Sequence, residues 1–69
     1  MEREPISSST IASLGYDAAG EILEVEFVNG HVYQYSGVPS GEHDALRSAP
    51  SIGSYFNANI RPNYPYIRL

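Results

Sequence analysis

The stretch Glu21-Ile22-Leu23-Glu24-Val25-Glu26-Phe27-Val28-Asn29-Gly30-His31-Val32-Tyr33-Gln34-Tyr35 decides the fold. Apolar and charged residues alternate along its first arm, and aromatic and polar residues along its second, the period-two signature of strands with one buried face. Asn29-Gly30 between them can adopt the left-handed backbone that a hairpin turn needs. The register of this hairpin determines where the tyrosines go. A two-residue turn at Asn29-Gly30 sets Val28 opposite His31 and puts Tyr33 and Tyr35 on the face of Glu24 and Glu26. A three-residue loop, Val28-Asn29-Gly30 with Gly30 left-handed, sets Phe27 opposite His31 instead. Leu23, Val25, Phe27, Tyr33 and Tyr35 then share one face. A slip of one residue exchanges the faces of a whole strand. A chain of 69 residues cannot leave two tyrosines out of so small a core, so the second register is expected, with Glu24 and Glu26 in water.

Working outward, Ile11, Leu14 and Tyr16 mark an earlier strand that ends at the turn Asp17-Ala18-Ala19-Gly20. Strands over about 10–16, 22–28 and 31–36 make a three-stranded antiparallel meander. After Gly37-Val38-Pro39 the period changes. Ser40 is placed to cap a helix over about 41–48, with Glu42 and Asp44 in its first turn, Arg47 in its last, and Pro50 beyond its end. Ser51 is placed to cap a second short helix over about 52–58, with Ile52, Tyr55 and Phe56 at helical spacing. The tail from Ile60 to Leu69 carries Pro62 and Pro65 and reads as an extended segment or edge strand. The fold class is α+β. Residues 1–7 read as a flexible N-terminus, and residues 8–69 as one domain.

Composition bounds what such a domain can be. A chain this short buries only about 60% of the surface that its unfolded form exposes. Domains below roughly 70–80 residues usually need a staple, and with no cysteine the disulfides and cysteine metal sites are excluded. Eight acids against four arginines, with no lysine, leave a net charge of −4. That balance weighs against coating nucleic acid or an anionic membrane by bulk charge. The charge is unevenly placed, however. Residues 1–46 carry all eight acids and one arginine, whereas residues 47–69 carry Arg47, Arg61 and Arg68 and no acid. Either the two halves pair in the fold, or the basic third serves a polyanionic partner. No apolar run reaches the roughly 18 residues of a membrane span, and the N-terminus has no signal-peptide core. A cytoplasmic location is expected.

Candidates for catalysis are thin. His31 and His43 show no metal-ligand spacing and read as solvent-facing or structural, and no phosphate-cradling glycine motif appears. No catalytic residue, cofactor or metal is expected. The stronger signal is the cluster Tyr55, Phe56, Arg61, Tyr64, Tyr66 and Arg68. Tyrosine faces stack on unpaired bases, and the arginine fork grips phosphate. Ser51-Ile52-Gly53-Ser54, at the start of the second helix, offers backbone amides and hydroxyls to one phosphate. The same residue types favour protein interfaces, and the extended tail could add a strand to a partner's sheet. Phe56 reads as core.

Taken in order, Ser8-Ser9, Ile11, Leu14-Gly15-Tyr16-Asp17, Leu23-Glu24-Val25-Glu26-Phe27, Gly30, Tyr33-Gln34-Tyr35, Val38-Pro39, Ala49, Ser51, Gly53, Tyr55-Phe56-Asn57, Ile60-Arg61 and Tyr64 resemble the KTSC domain. That family takes its name from the C-terminus of some lysyl-tRNA synthetases and also occurs as small stand-alone bacterial and phage proteins. The resemblance implies RNA as a partner, by analogy with the synthetase context. It singles out Tyr33, Tyr35, Ser51, Gly53, Asn57, Arg61 and Tyr64. Where versions of the pattern carry lysine, this chain has Ile52, Ala58 and Asn63, which implies weaker phosphate contact. The expectation is a small non-enzymatic module binding RNA or single-stranded nucleic acid through Arg61 and Arg68, with Tyr64 and Tyr66 stacking. The alternative is a protein-interaction or adaptor domain with no nucleic-acid binding.

Overall fold

The computed structural model describes residues 1–69. Strands β1 (Glu4–Pro5), β2 (Ile11–Asp17), β3 (Ile22–Phe27), β4 (Val32–Ser36) and β5 (Tyr66–Arg68) form one antiparallel sheet in sequence order. Helices α1 (Ser40–Ser48) and α2 (Ile52–Tyr55) lie between β4 and β5 in the chain. The hairpin takes the three-residue loop: the Phe27 amide donates to the His31 carbonyl at 2.9 Å, and the Gly30 amide returns to Phe27 at 2.9 Å. Gly30 has φ +91°, a left-handed conformation that a side chain would strain. Asn29 Oδ1 holds the exit of the turn by accepting from the His31 amide at 3.0 Å. Leu23 thereby faces Tyr35 and Val25 faces Tyr33 across the pair.

This register fills the core. Ile11, Leu14, Leu23, Val25 and Tyr35 from the sheet meet Val38, Leu46, Phe56 and Ile60 from the helical half. Each such fully buried side chain contributes about 1.5–3 kcal/mol. Phe56 sits at the junction, edge-on to Tyr35 at 5.3 Å and to Phe27 at 5.6 Å between ring centres.

The meander is longer than the three strands expected. The C-terminal segment joins it as β5, with Arg68 opposite Tyr33 and Tyr66 opposite Tyr35. At the other edge, Glu4 and Pro5, within the segment expected to be a flexible lead-in, pair with Leu14 and Ser13. The preceding residues cross the outer face of the sheet at Gly15, where a Cβ would stand 2.6 Å from the Glu2 carbonyl. This crossing corrects the environment of Glu24, which is 5% exposed rather than in water. Arg3 Nη1 donates to its Oε2 at 2.6 Å, and Gln34 Nε2 to its Oε1 at 2.8 Å. Burial pushes the Glu24 carboxyl up, but the hydrogen bonds from Gln34 and Arg3 and the guanidinium charge outweigh that and hold it below its ordinary value. Glu26 is half-buried and accepts from the Ser13 hydroxyl at 2.7 Å.

The helices differ from expectation at their ends. Ser40 is the first residue of α1 rather than its cap. Pro39 occupies that position in extended conformation, and its carbonyl accepts from Glu42 and His43. Ser51 does cap α2, accepting from the Ser54 amide at 3.3 Å. Helix α2 stops at Tyr55 and widens into a π turn over Phe56–Ile60, closed by the Arg61 amide on the Phe56 carbonyl at 3.0 Å. The added residue lets Phe56 and Ile60 both reach full burial. It also carries the exposed Asn57 and Arg61 to one side of the domain.

Candidate functional site

Between the inner face of β4–β5 and the π turn lies a groove of about 340 Å³. Its walls follow from the sheet register. Tyr33 and Tyr35 are two apart on β4, and Tyr66 is opposite Tyr35, so all three rings project to the helical side. Tyr66 lies 5.4 Å from Tyr33 and 5.5 Å from Tyr35 between ring centres, and Phe27 meets Tyr33 edge-on at 5.5 Å. Tyr35 forms the floor at 2% exposure, whereas Tyr66 is 56% exposed. The Tyr35 hydroxyl has no hydrogen bond within the protein yet is not sealed away, so it opens into the groove. Burial pushes this phenol up, and the charge of Arg61 pulls against that.

The rim is polar. Asn57 Oδ1 accepts from Arg61 Nη1 at 3.4 Å. Both ion pairs of the molecule, Arg3–Glu24 and Arg47–Glu4, lie elsewhere. Arg61 therefore has no carboxylate partner. Arg68, on the same face as Tyr33, brings Nη2 within 3.3 Å of His31 Nε2 and also lacks one. The basic third of the chain is thus only partly neutralised by the acidic portion: Arg47 pairs with Glu4, and the other two arginines remain available.

The groove unites Tyr33, Tyr35, Asn57, Arg61 and Tyr66, with Arg68 beside it at the sheet edge. The other candidates lie apart. Ser51 and Gly53 line a hydroxyl-rich depression with Ser8, Ser9 and Thr10, reached from the groove only through Thr10 and Asn57. Tyr64 turns to α1, where its hydroxyl donates to Glu42 Oε2 at 3.1 Å while that of Tyr55 donates to Oε1. Burial and the carboxylate push the Tyr64 phenol up; for Tyr55 the hydrogen bond to Glu42 acts first. This trio ties the tail to α1 and removes Tyr64 from the stacking surface.

Thr10, Phe27, Val28 and Asn29 complete the groove, and sequence reasoning does not single them out. Asn29 was within reach, because the hairpin register sets its turn beside Tyr33. No local pattern announces Thr10. His43 stacks on Tyr16 at 4.4 Å with the rings 13° from parallel, away from the groove. Desolvation, followed by the charge of Arg47, lowers its affinity for a proton. No helix is long and apolar enough to cross a membrane.

Comparison with known proteins places this architecture. The chain is 39% identical to a KTSC domain protein of Yersinia pestis whose crystal structure superposes with a TM-score of 0.93, covering 99% of this chain and 96% of that one. An uncharacterised protein of Stutzerimonas stutzeri is 44% identical over 70 residues, covering 100% of this chain and 99% of its own length. A lysine–tRNA ligase of Nostoc punctiforme is 34% identical over 61 residues, which are 88% of this chain but 11% of the ligase. The domain therefore occurs both alone and attached to a much larger enzyme. The KTSC domain model matches residues 7–64, a span that takes in β2, β3 and β4, both helices and the π turn, and leaves out the two edge strands β1 and β5. With sequence, fold and extent in agreement, the chain belongs to the KTSC domain family.

Proposed function

We propose that this protein is a small, non-enzymatic, cytoplasmic module that binds single-stranded RNA in the tyrosine–arginine groove. The observation that carries this reading is the meeting of three tyrosine rings with an arginine that has no carboxylate partner. Stacking contributes about 1–3 kcal/mol per base. A few bases can therefore be held despite a net charge of −4. Tyr33 and Tyr66 offer the rings, Arg61 and Arg68 meet phosphate, and Tyr35 forms the floor. Attachment of the same domain to lysine–tRNA ligases, enzymes whose substrate is an RNA, supports the choice of partner.

Titration of labelled single-stranded RNA into the protein at low salt tests the reading. Binding tighter than about 100 μM supports it, and none at that level overturns it, because non-specific binders alone reach roughly 10⁻⁴ M. A second reading rests on a different observation. Strand β5 is a sheet edge with Ile67 within it at 60% exposure and Leu69 just beyond it at 63%, which suits addition of a partner's strand. Retention of one protein partner after nuclease treatment, lost on substituting Ile67→Lys, is the result expected from that alternative.

A further inference from the structure

The two edges of the sheet are unlike. At β1 the Ile6 amide donates inward to the Ala12 carbonyl at 2.9 Å, so by the alternation of the ladder Pro5 faces outward. Proline has no N–H to offer there, and the neighbouring Glu4 carries a charge that is paired with Arg47. That edge is blunted against a further strand. At β5 no such device is present. The Ser36 amide donates to the Pro65 carbonyl and the Leu69 amide to the Val32 carbonyl, both at 2.9 Å, so Pro65, Ile67 and Leu69 face β4. The N–H and C=O groups of Tyr66 and Arg68 therefore point away from the sheet, with no partner in the chain. Ile67, opposite Gln34, puts its side chain on the outer face, and Tyr66 and Arg68 put theirs on the face of the groove.

Resting on the strand-addition reading above, and independently of what the groove takes, we infer that β5 pairs with β5 of a second copy of the chain, antiparallel, with Ile67 on the two-fold axis. Three symmetric registers use the outward groups. Tyr66 opposite Tyr66 bonds the groups of that residue alone. Arg68 opposite Arg68 opposes two like charges. Tyr66 opposite Arg68 of the second copy, repeated by the symmetry, bonds every outward group of both strands. In this register Ile67 meets its own copy at a non-hydrogen-bonded position, where side chains approach most closely. Each Arg68 lays its aliphatic stem beside a Tyr66 ring that is 56% exposed in the single chain, and the two guanidinium groups stand diagonal rather than opposed. The pairing brings Arg68 of the second copy to the groove face beside Tyr66. Because the β1 edge is blunted, association closes at a dimer and does not run on as a filament.

Sedimentation equilibrium of the whole chain from about 10 μM to about 1 mM, the range suited to so small an interface, should show the mass rising from 7.6 kDa toward twice that value. Arg68→Pro deletes an outward N–H from each copy and leaves the side of β5 that faces β4 intact, so it should keep the native circular dichroism and remain at the mass of one chain. Cysteine cross-linking tests the register without relying on that variant, because the chain has no cysteine of its own. Ile67→Cys sets two thiols across the axis with Cα atoms about 4.5 Å apart, within disulfide reach, and mild oxidation should link the copies. Arg68→Cys sets them on a diagonal of about 7–8 Å, beyond that reach, and should not. A dimer that Arg68→Pro leaves unweakened, or equal cross-linking of the two cysteine variants, overturns the self-pairing. A mass that stays at one chain up to about 1 mM overturns it too, and leaves strand addition by a different protein to the capture after nuclease treatment. Absence of both a dimer and a captured partner overturns both.

Discussion

Arg3 and Arg61 approach the same sheet from opposite sides and reach opposite electrostatic states. On the outer face, Arg3 is joined at 2.6 Å to a carboxylate that is 5% exposed, and Gln34 satisfies the second carboxylate oxygen. On the inner face, Arg61 touches only a neutral carboxamide above tyrosine rings. The outer cluster is closed within the chain, with both oxygens of the buried carboxylate matched. The inner one is open. A saturated ion pair serves folding, whereas a cation left unmatched in an acidic protein remains available to something from outside. The contrast distinguishes stability residues from recognition residues within one small domain, and each prediction below tests one side of it.

The largest effect is expected where the two functions meet. Phe56 packs beneath the groove against Tyr35 and Phe27 and has no exposure. Phe56→Ala should cost about 3–5 kcal/mol, a large share of the roughly 3–10 kcal/mol that a domain of this size holds. Denaturant titration should show most of the cooperative transition gone, with Phe56→Leu retaining it. A small shift of the midpoint for Phe56→Ala would mean that the groove floor is not part of the core.

Arg3→Ala should follow at about 2 kcal/mol, between the value of exposed pairs and that of fully buried ones, because it leaves the Glu24 carboxylate buried with only Gln34. The sign of the pH effect is fixed. The folded Glu24 carboxyl lies below its ordinary value of 4.5, so its contribution is present above that pH and is lost as pH falls through the folded value. Arg3→Ala should therefore remove part of the acid sensitivity between those limits. The double variant Arg3→Ala/Glu24→Gln should recover part of the loss, since no charge then stays buried. A double-variant cost equal to the sum of the Arg3→Ala and Glu24→Gln costs would show that the pair is not coupled. A smaller effect concerns His43. Burial against Tyr16 disfavours its charged form, so the fold loses stability as pH falls below 6.5. Thermal unfolding at about pH 7.5 and about pH 5.5 should show that loss in the native chain and a reduced one in His43→Gln.

How much of this was legible depended on how far apart in the chain the partners lie. The hairpin register followed from Asn29-Gly30 and the pattern of its two arms, because turn and periodicity are local. That register placed Tyr33 and Tyr35 on the helical side, and the tail's pairing with β4 then brought Tyr66 to them. Asn57 and Arg61 were not legible as neighbours, because the second helix was expected to end near residue 58 and Arg61 to lie in the extended tail, whereas the π turn brings them into contact. The outer cluster was not legible either. A two-residue strand has no periodicity to detect, and the crossing of Met1–Arg3 over Gly15 changes Glu24 from a solvated residue to a buried one. Tyr64 failed for the same reason: Glu42 is 22 residues away, and no local pattern links the two. The π turn was illegible because its widening answers to the packing of Phe56 and Ile60 against the sheet.

The smallest expected change in stability carries the most information about the comparison. Arg61→Ala removes an exposed side chain whose one polar contact is a 3.4 Å bond to Asn57, so its unfolding free energy should stay within about 0.5 kcal/mol of the native value. An arginine retained for folding could not be removed so lightly, as the expected cost at Arg3 shows. Circular dichroism melts of the Arg3→Ala and Arg61→Ala variants, run beside the RNA titration, read both sides of the contrast. Arg61→Ala should melt like the native chain and bind RNA poorly. Arg3→Ala should melt early and, below its transition, bind RNA as the native chain does. A large loss of stability on removing Arg61 would make it a structural residue, and the groove would lose the free charge on which its recognition role depends.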